Sequence, residues 1–437
     1  MITRIEIDGF KSFQDFSLNL APFQVIIGPN GCGKSNLFDA IHFLSLLADK
    51  PVNEALQSIR GEAKDLFTIR ADGTRAKQMR FAVEMRVAPT VTDYSGNYAK
   101  LIDTHLRYEV AIPNMANSEY SWAWLQANEF LVPAQNSIFK DGEANNGQPK
   151  ETYLRVKMPF GIPSHSSDRF PNNHFVPFTT LSRADSIEFP YSLAARQEMQ
   201  NWRQFNPLPV YLRQSSTMLD TPFVTSDGKN LAAALARMEQ EDPASLGGVS
   251  RDLTNTMHGG LSLELERDGE NDRITLYARN RMGHRFPARV LSDGTLRLLA
   301  LAAIRNDPAF RGTLCFEDPE IGVHPGGLRK IADILRDITM PFDEEYPNEP
   351  QRQVLVTTHS TDFISHLNLP EELLYAEMPT RVEPGVGMAQ VTRISPVGAE
   401  GETDKANNAY TLSRVIEYLT NADIETKREK LCEAWQK

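Results

Sequence analysis

The chain has 437 residues, with 57 acidic and 46 basic side chains and a formal net charge of −11. Its 41% hydrophobic content is enough to bury a large core in two or three lobes, and its acidity argues against coating nucleic acid through bulk charge. A mean hydropathy of −0.39, with no apolar run near bilayer length, argues against an integral membrane protein. The opening residues lack the charged-then-apolar pattern of a secretory leader. The three cysteines, Cys32, Cys315 and Cys432, have neither metal spacing nor disulfide density, so a reducing cytoplasm is expected.

In chain order, Ile2, Ile5 and Ile7, then Phe16, Leu18 and Leu20, alternate as strands do. The continuous run Phe23 to Ile27, closed by Gly28, reads as a buried strand. Leu37, Ile41, Leu44 and Ala48 then recur at helical spacing. Between strand and helix lies Gly28-Pro29-Asn30-Gly31-Cys32-Gly33-Lys34-Ser35, which fits G-x-x-x-x-G-K-[ST]. In such a loop the backbone amides wrap a phosphate chain, Lys34 reaches the β and γ phosphates, and the Ser35 hydroxyl ligates Mg²⁺. An ordinary glycine-rich turn would not need to sit between a buried strand and an amphipathic helix. ATP and Mg²⁺ are the expected cofactors.

Met79–Val87, His105–Ile112 and Thr152–Met158 alternate as antiparallel strands, and 159–190, rich in Pro, Ser, Asn and Phe, reads as an ordered loop insertion. Ser192–Gln204 and Asn230–Glu241 have helical patterns, and Gly259–Tyr277 reads as a hairpin around Asp268-Gly269. Ser292-Asp293-Gly294-Thr295 precedes a helix predicted over Thr295–Arg305. Small hydroxyl residues there make either an anion site or a simple N-cap by Ser292 or Asp293.

The strand predicted at Thr313–Phe316 ends in Glu317-Asp318-Pro319-Glu320. Carboxylates at such a strand end can hold magnesium (Glu317) and orient or deprotonate water (Asp318), where an unrelated acidic turn would merely be solvated. Leu328, Ile331, Ile334, Leu335 and Ile338 form an amphipathic helix, and Val354–Thr358 is a buried strand that leads into His359. A histidine at that point can bond the γ-phosphate, although a lone histidine is more often structural. The other histidines show no metal-ligand clustering. The tail after about 396 reads as polar helix. No repeat and no sustained heptads occur.

Taken together, Gly9-Phe10-Lys11-Ser12-Phe13, Gly28–Asn36, Asp227-Gly228-Lys229-Asn230-Leu231, Leu291–Arg297, Phe316–Glu320 with His324-Pro325, and Thr358-His359-Ser360 resemble an ABC-type ATPase head of the RecF/SMC kind. More narrowly, the chain resembles the stand-alone RecF-like ATPases of the AAA-type core, which are related to the ATPase part of OLD-family proteins. The resemblance implies an α/β P-loop NTPase: a mixed sheet core with an antiparallel β subdomain and a helical lobe. It divides the chain into 1–158 (phosphate loop and antiparallel strands), 159–289 (insertion and helical lobe), 290–395 (signature helix, carboxylate strand and histidine) and 396–437 (helical tail). It also implies a homodimer stacked head-to-tail around two ATP molecules, open to higher assembly. Each nucleotide would meet Pro29, Asn30, Gly31, Cys32, Gly33, Lys34, Ser35 and Asn36 of one subunit and Ser292, Gly294 and Thr295 of the other. Lys11 and Ser12 would touch it from the N-terminal strand.

The chain departs from the family pattern in places. Glu317 then Asp318 reverses the usual Asp-Glu order, which predicts slow turnover, with Glu320 as a second candidate base. Gln126 and Gln135 are the candidates for the glutamine that joins the lobes. The stretch between Lys34 and Ser292 carries no coiled-coil arm, and the segment beyond His359 is shorter than a Toprim nuclease domain. Two readings lead: a switch acting with nucleic acid in DNA repair or anti-phage defence, and a scaffold that holds or releases a protein effector without binding DNA. The FKSF start and the Ser-Asp-Gly-Thr-Leu-Arg signature argue against a transporter subunit.

Overall fold

The most apolar runs build the centre. In the computed structural model, which describes residues 1–114, 128–134, 178–256, 260–340, 350–383, 387–398, 410, 411 and 415, they join one seven-stranded sheet. Its order is Tyr410–Thr411, Arg393–Gly398, Leu373–Glu377, Phe23–Ile27, Arg352–Thr357, Gly312–Glu317, Arg203–Phe205. From Leu373–Glu377 to Arg203–Phe205 all strands run parallel, and Arg393–Gly398 is antiparallel to its neighbour. A parallel sheet buries both faces, so its strands read as continuous apolar runs. Successive residues serve opposite cores. Val25, Ile27, Leu314, Phe316, Val354 and Val356 face the helical side, while Ile26, Cys315, Leu355 and Leu374 face the Lys34–Leu47 helix.

Beyond that helix stands a five-stranded antiparallel sheet, ordered Phe16–Asn19, Ile2–Asp8, Gln78–Arg86, His105–Pro113, Asn128–Pro133. Arg107 is 1% exposed within it and bonds Glu6 at 2.6 Å, Glu84 at 3.1 Å and Glu109 at 2.6 Å. One buried glutamine ties the two sheets. The Gln353 Oε1 accepts from the Ile2 amide and the Thr313 hydroxyl, and its Nε2 donates to the carbonyls of Ile2 and Ala21.

The other side is helical: Leu231–Glu241, Pro243–Thr256, Asp293–Asn306 and Leu328–Ile338, flanked by the hairpin Leu261–Asp268 and Arg273–Asn280. The helix expected over Ser192–Gln204 ends at Gln200, and Arg203–Phe205 is instead the edge strand beside Leu314–Phe316. Sheet pairing overrides helical periodicity there. The helix Pro243–Thr256 has no counterpart among the expected elements, because Gly247-Gly248 blurs its apolar stripe. The polar helix expected after 396 does not begin there, since Arg393–Gly398 is a strand. The strand expected at Thr152–Met158 lies outside the described residues, as do most of the 159–190 insertion and most of the tail. Among the described residues no helix is long and apolar enough to cross a membrane.

Candidate functional site

The parallel strands deliver their C-terminal ends to one edge, where open α/β sheets bind ligands. The loop after Phe23–Ile27 exposes Pro29, Asn30 and Gly31 at its tip and buries Cys32 and Lys34. Gly33 immediately precedes the helix with φ +98°, and a Cβ there would lie 2.0 Å from Thr392 Oγ1, so both backbone and space require glycine. The Lys34 ammonium donates to the carbonyls of Gly28 at 2.7 Å and Pro29 at 2.9 Å. Burial pushes its pKa down, against the pull of Cys32, Asp318 and Glu317. A buried ammonium bonded only to neutral acceptors at the start of a helix fits a phosphate chain.

Glu317 ends the neighbouring-but-one strand, and its Oε1 is buried without a hydrogen-bond partner. That orphaned oxygen fits a divalent cation shared with Ser35. Asp318 comes next with φ +47°, its amide donating to the Thr357 carbonyl at 2.9 Å. Burial raises the pKa of its carboxyl, with Glu320 and Glu317 adding to the rise and His359 and Lys34 opposing it. Glu320 is anchored: its Oε1 accepts from the Thr358 hydroxyl at 2.8 Å and the His359 amide at 3.1 Å. The His359 imidazole, exposed at the strand end, is held below its ordinary pKa by burial and by Lys34, against Asp318 and Glu320. Lys34, Glu317, Asp318, Glu320 and His359 therefore form one electrostatically coupled rim.

Lys11 and Ser12 stand behind this rim with their polar groups engaged. The Lys11 ammonium pairs with Asp39 at 2.6 Å, and Arg60 takes the same carboxylate at 2.8 Å. Asn36 donates to the Ser12 hydroxyl at 2.8 Å, and that hydroxyl lies 2.6 Å from Thr392 Oγ1. These contacts brace the loop from behind. Thr392 belongs to no local motif, so sequence pattern does not identify it.

Ser292 is exposed and caps the Asp293–Asn306 helix, accepting from the Thr295 amide. Thr295 is buried, with its hydroxyl 2.7 Å from the Ser292 hydroxyl. Within its own chain the corner lies against the loop after Glu320. A Cβ on Gly294 would meet the Gly322 carbonyl oxygen at 2.1 Å, and Arg297 donates to the Ile321 carbonyl at 2.9 Å. Arg213 clamps the approach to the corner through the carbonyls of Arg289 and Leu291 and the Asp293 carboxylate. No pattern marks Arg213 in the sequence.

Gln126 and Gln135 lie outside the described residues. Phe205 pairs with Phe316, and the exposed Asn206 follows at the end of the edge strand, its amide donating to the Ser226 carbonyl at 2.8 Å.

Residues 1–149 match a family model described as "AAA ATPase domain", and residues 150–365 match one described as "AAA domain, putative AbiEii toxin, Type IV TA system". The chain is 36% identical over 86 residues to the chromosome partition protein Smc of Bordetella petrii, covering 19% of this chain and 7% of that protein. It is 25% identical over 179 residues to Smc of Coxiella burnetii, covering 38% and 15%. It is 29% identical over 89 residues to the replication and repair protein RecF of Lactobacillus johnsonii, covering 20% and 23%. The matches therefore span less than a quarter of each relative. Among solved structures, an Smc head bound to the C-winged helix domain of ScpA superposes with a TM-score of 0.54 at 15% identity, covering 91% of this chain and 98% of that one. An Smc head with an extended coiled coil, bound to the C-terminal domain of ScpA and derived from Pyrococcus furiosus, gives 0.51 at 13% identity, covering 97% and 99%. Both likenesses are of fold.

Proposed function

The chain belongs to the RecF/SMC-like ABC-type ATPases, and from that premise we propose that it hydrolyses ATP, pairs head-to-tail with a second copy around the nucleotide, and acts as a switch in DNA repair or anti-phage defence. The observation that carries this reading is the coupled rim of Lys34, Glu317, Asp318 and His359, together with an exposed Ser292 at a helix N-terminus.

In this scheme the loop amides and Lys34 hold the β and γ phosphates. Ser35 and Glu317 would hold Mg²⁺, which would supply charge neutralisation to the phosphates when bound. Asp318 orients the attacking water and takes its proton. The water oxygen bonds to the γ-phosphorus as the bond to the ADP oxygen breaks, and Lys34 steadies the charge left on ADP. His359, whose pKa its surroundings lower, bonds the γ-phosphate and registers its loss. A partner copy's Ser292 corner closes the site, so ATP links two subunits and hydrolysis releases them. A cytoplasmic setting suits this cycle. The test is particle mass with and without ATP. ATP should drive dimerisation of the wild type and not of Lys34→Ala; equal dimerisation of both would end the proposal.

A second reading has its own support. Tyr94, Tyr98 and Ile102 are 87%, 68% and 92% exposed beside the short hairpin Thr90–Thr92 and Tyr98–Lys100. Such a patch suits a protein effector held or released with the nucleotide state. Tyr94→Ser/Tyr98→Ser should then spare ATP hydrolysis and abolish the biological response. An unchanged response excludes this surface.

A further inference from the structure

We propose that the cavity between the Lys34–Leu47 helix and the 220–230 loop binds a phosphorylated small molecule of mononucleotide size, at a site separate from the one that holds ATP. The cavity measures about 700 Å³, within the roughly 300–1,000 Å³ of small-molecule sites. His42 and Ser45 line it from the helix, Arg203 from the edge strand, and Thr225, Ser226 and Lys229 from the loop.

Arg203 carries the argument. A guanidinium has five N–H donors and keeps its charge in proteins. Among the described residues no acceptor bonds it, and its guanidinium lies over the Phe310 ring, 5.9 Å from the ring centre. Burial and the like charge of Arg311 lower its pKa, opposed by Asp307. The Asp307 carboxylate is already paired with Arg237 at 2.6 Å. The two acids on the cavity wall are also engaged. Asp227 accepts from the Thr225 hydroxyl at 2.8 Å and the Lys229 amide at 3.1 Å, and Asp220 accepts from the Thr217 amide at 2.7 Å. Arg203 is a half-buried guanidinium that lines the cavity with no hydrogen-bond acceptor among the described residues, and its free donors suit an anion. Lys229 is exposed at the mouth as a second charge, and the hydroxyls of Ser45 and Ser226 supply neutral donors.

The place is distinct from the phosphate loop. Arg203 begins its strand, level with Leu314, whereas Glu317 and the phosphate loop lie at the opposite, C-terminal ends of the strands. The cavity nevertheless borders the helix whose first turn holds Lys34, which suits a regulatory ligand.

The probes are AMP, GMP, CMP and UMP, which lack the β and γ phosphates that Lys34 grips, with inorganic phosphate as the bare anion. Calorimetry on the full chain should show one saturable site for at least one mononucleotide. Arg203→Met should weaken it at least about 10-fold, the effect of losing a charged hydrogen bond. Lys229→Met, at an exposed position that cannot upset folding, should weaken it several-fold, and Lys34→Ala should leave it unchanged. No saturable binding below about 1 mM by any probe would overturn the proposal. So would binding lost in Lys34→Ala but kept in Arg203→Met, or inorganic phosphate binding as tightly as the best mononucleotide.

Discussion

The Thr392 hydroxyl donates to the Cys32 carbonyl at 2.9 Å, so a residue near the far end of the chain fixes the corner of the phosphate loop. The same oxygen lies 2.6 Å from the Ser12 hydroxyl, and the Thr392 amide donates to the Ser12 carbonyl at 2.8 Å. Thr392→Val keeps the shape but strands the Cys32 carbonyl in a buried setting, a loss of about 1–3 kcal/mol. ATP affinity should fall about 10-fold, and Thr392→Ser should restore most of it. Calorimetry with ATP checks both; wild-type affinity in Thr392→Val would remove the brace from the mechanism.

Asp318→Asn should lower the rate of hydrolysis by about 10²–10⁴, the range for losing a positioned base, while ATP binding and the ATP-linked dimer persist. The base works as the carboxylate, and its pKa is raised chiefly by burial. The acid limb of kcat/KM, which reports the free enzyme, should therefore lie above the ordinary aspartate range, with activity rising as pH climbs through it, and Asp318→Asn should abolish that limb. Turnover by Asp318→Asn equal to wild type would move the role to Glu320.

Gly294→Ala would drive a methyl group to within 2.1 Å of the Gly322 carbonyl oxygen. The Ser292 corner must then shift from its place beside the Ile321–Val323 loop. ATP-dependent dimerisation, measured by sedimentation, should weaken by at least about 10-fold, while ATP binding by the monomer through Lys34 stays. Undiminished dimerisation would place the subunit contact elsewhere.

Arg107→Met would leave Glu6, Glu84 and Glu109 without their shared cation, at a cost of about 3–5 kcal/mol in urea denaturation. Burial works to raise the Glu6 pKa, but Arg107 and Arg4 outweigh it and hold the carboxyl below its ordinary value. Its contribution to stability is therefore complete above the ordinary glutamate pKa and lost as pH falls through the depressed one. In Arg107→Met the trend should reverse, since protonation then relieves uncompensated charge. Stability of the variant matching wild type at pH 7 would contradict this account.

Local signals make much of the molecule legible. Val25–Ile27, Leu314–Phe316 and Val354–Val356 are apolar runs at the heart of their strands, and Glu317, Asp318 and His359 can be picked out from the strand ends. The features that escape sequence pattern are set by contacts distant in the chain. Arg203–Phe205 is a strand because Leu314–Phe316 lies beside it, and Asn206 has its place only through that pairing. Thr392 and Arg213 act through backbone carbonyls that any residue offers, so no residue pattern points to them.

The strand order has a consequence for biosynthesis. Phe23–Ile27 leaves the ribosome early, yet both of its hydrogen-bonding neighbours, Arg352–Thr357 and Leu373–Glu377, are made much later in translation. Until then a mostly apolar strand with two bare edges must wait without its partners, a hazard for nascent-chain aggregation. The central strand beneath the nucleotide loop thus completes its pairing only after Arg352–Thr357 and Leu373–Glu377 have been made.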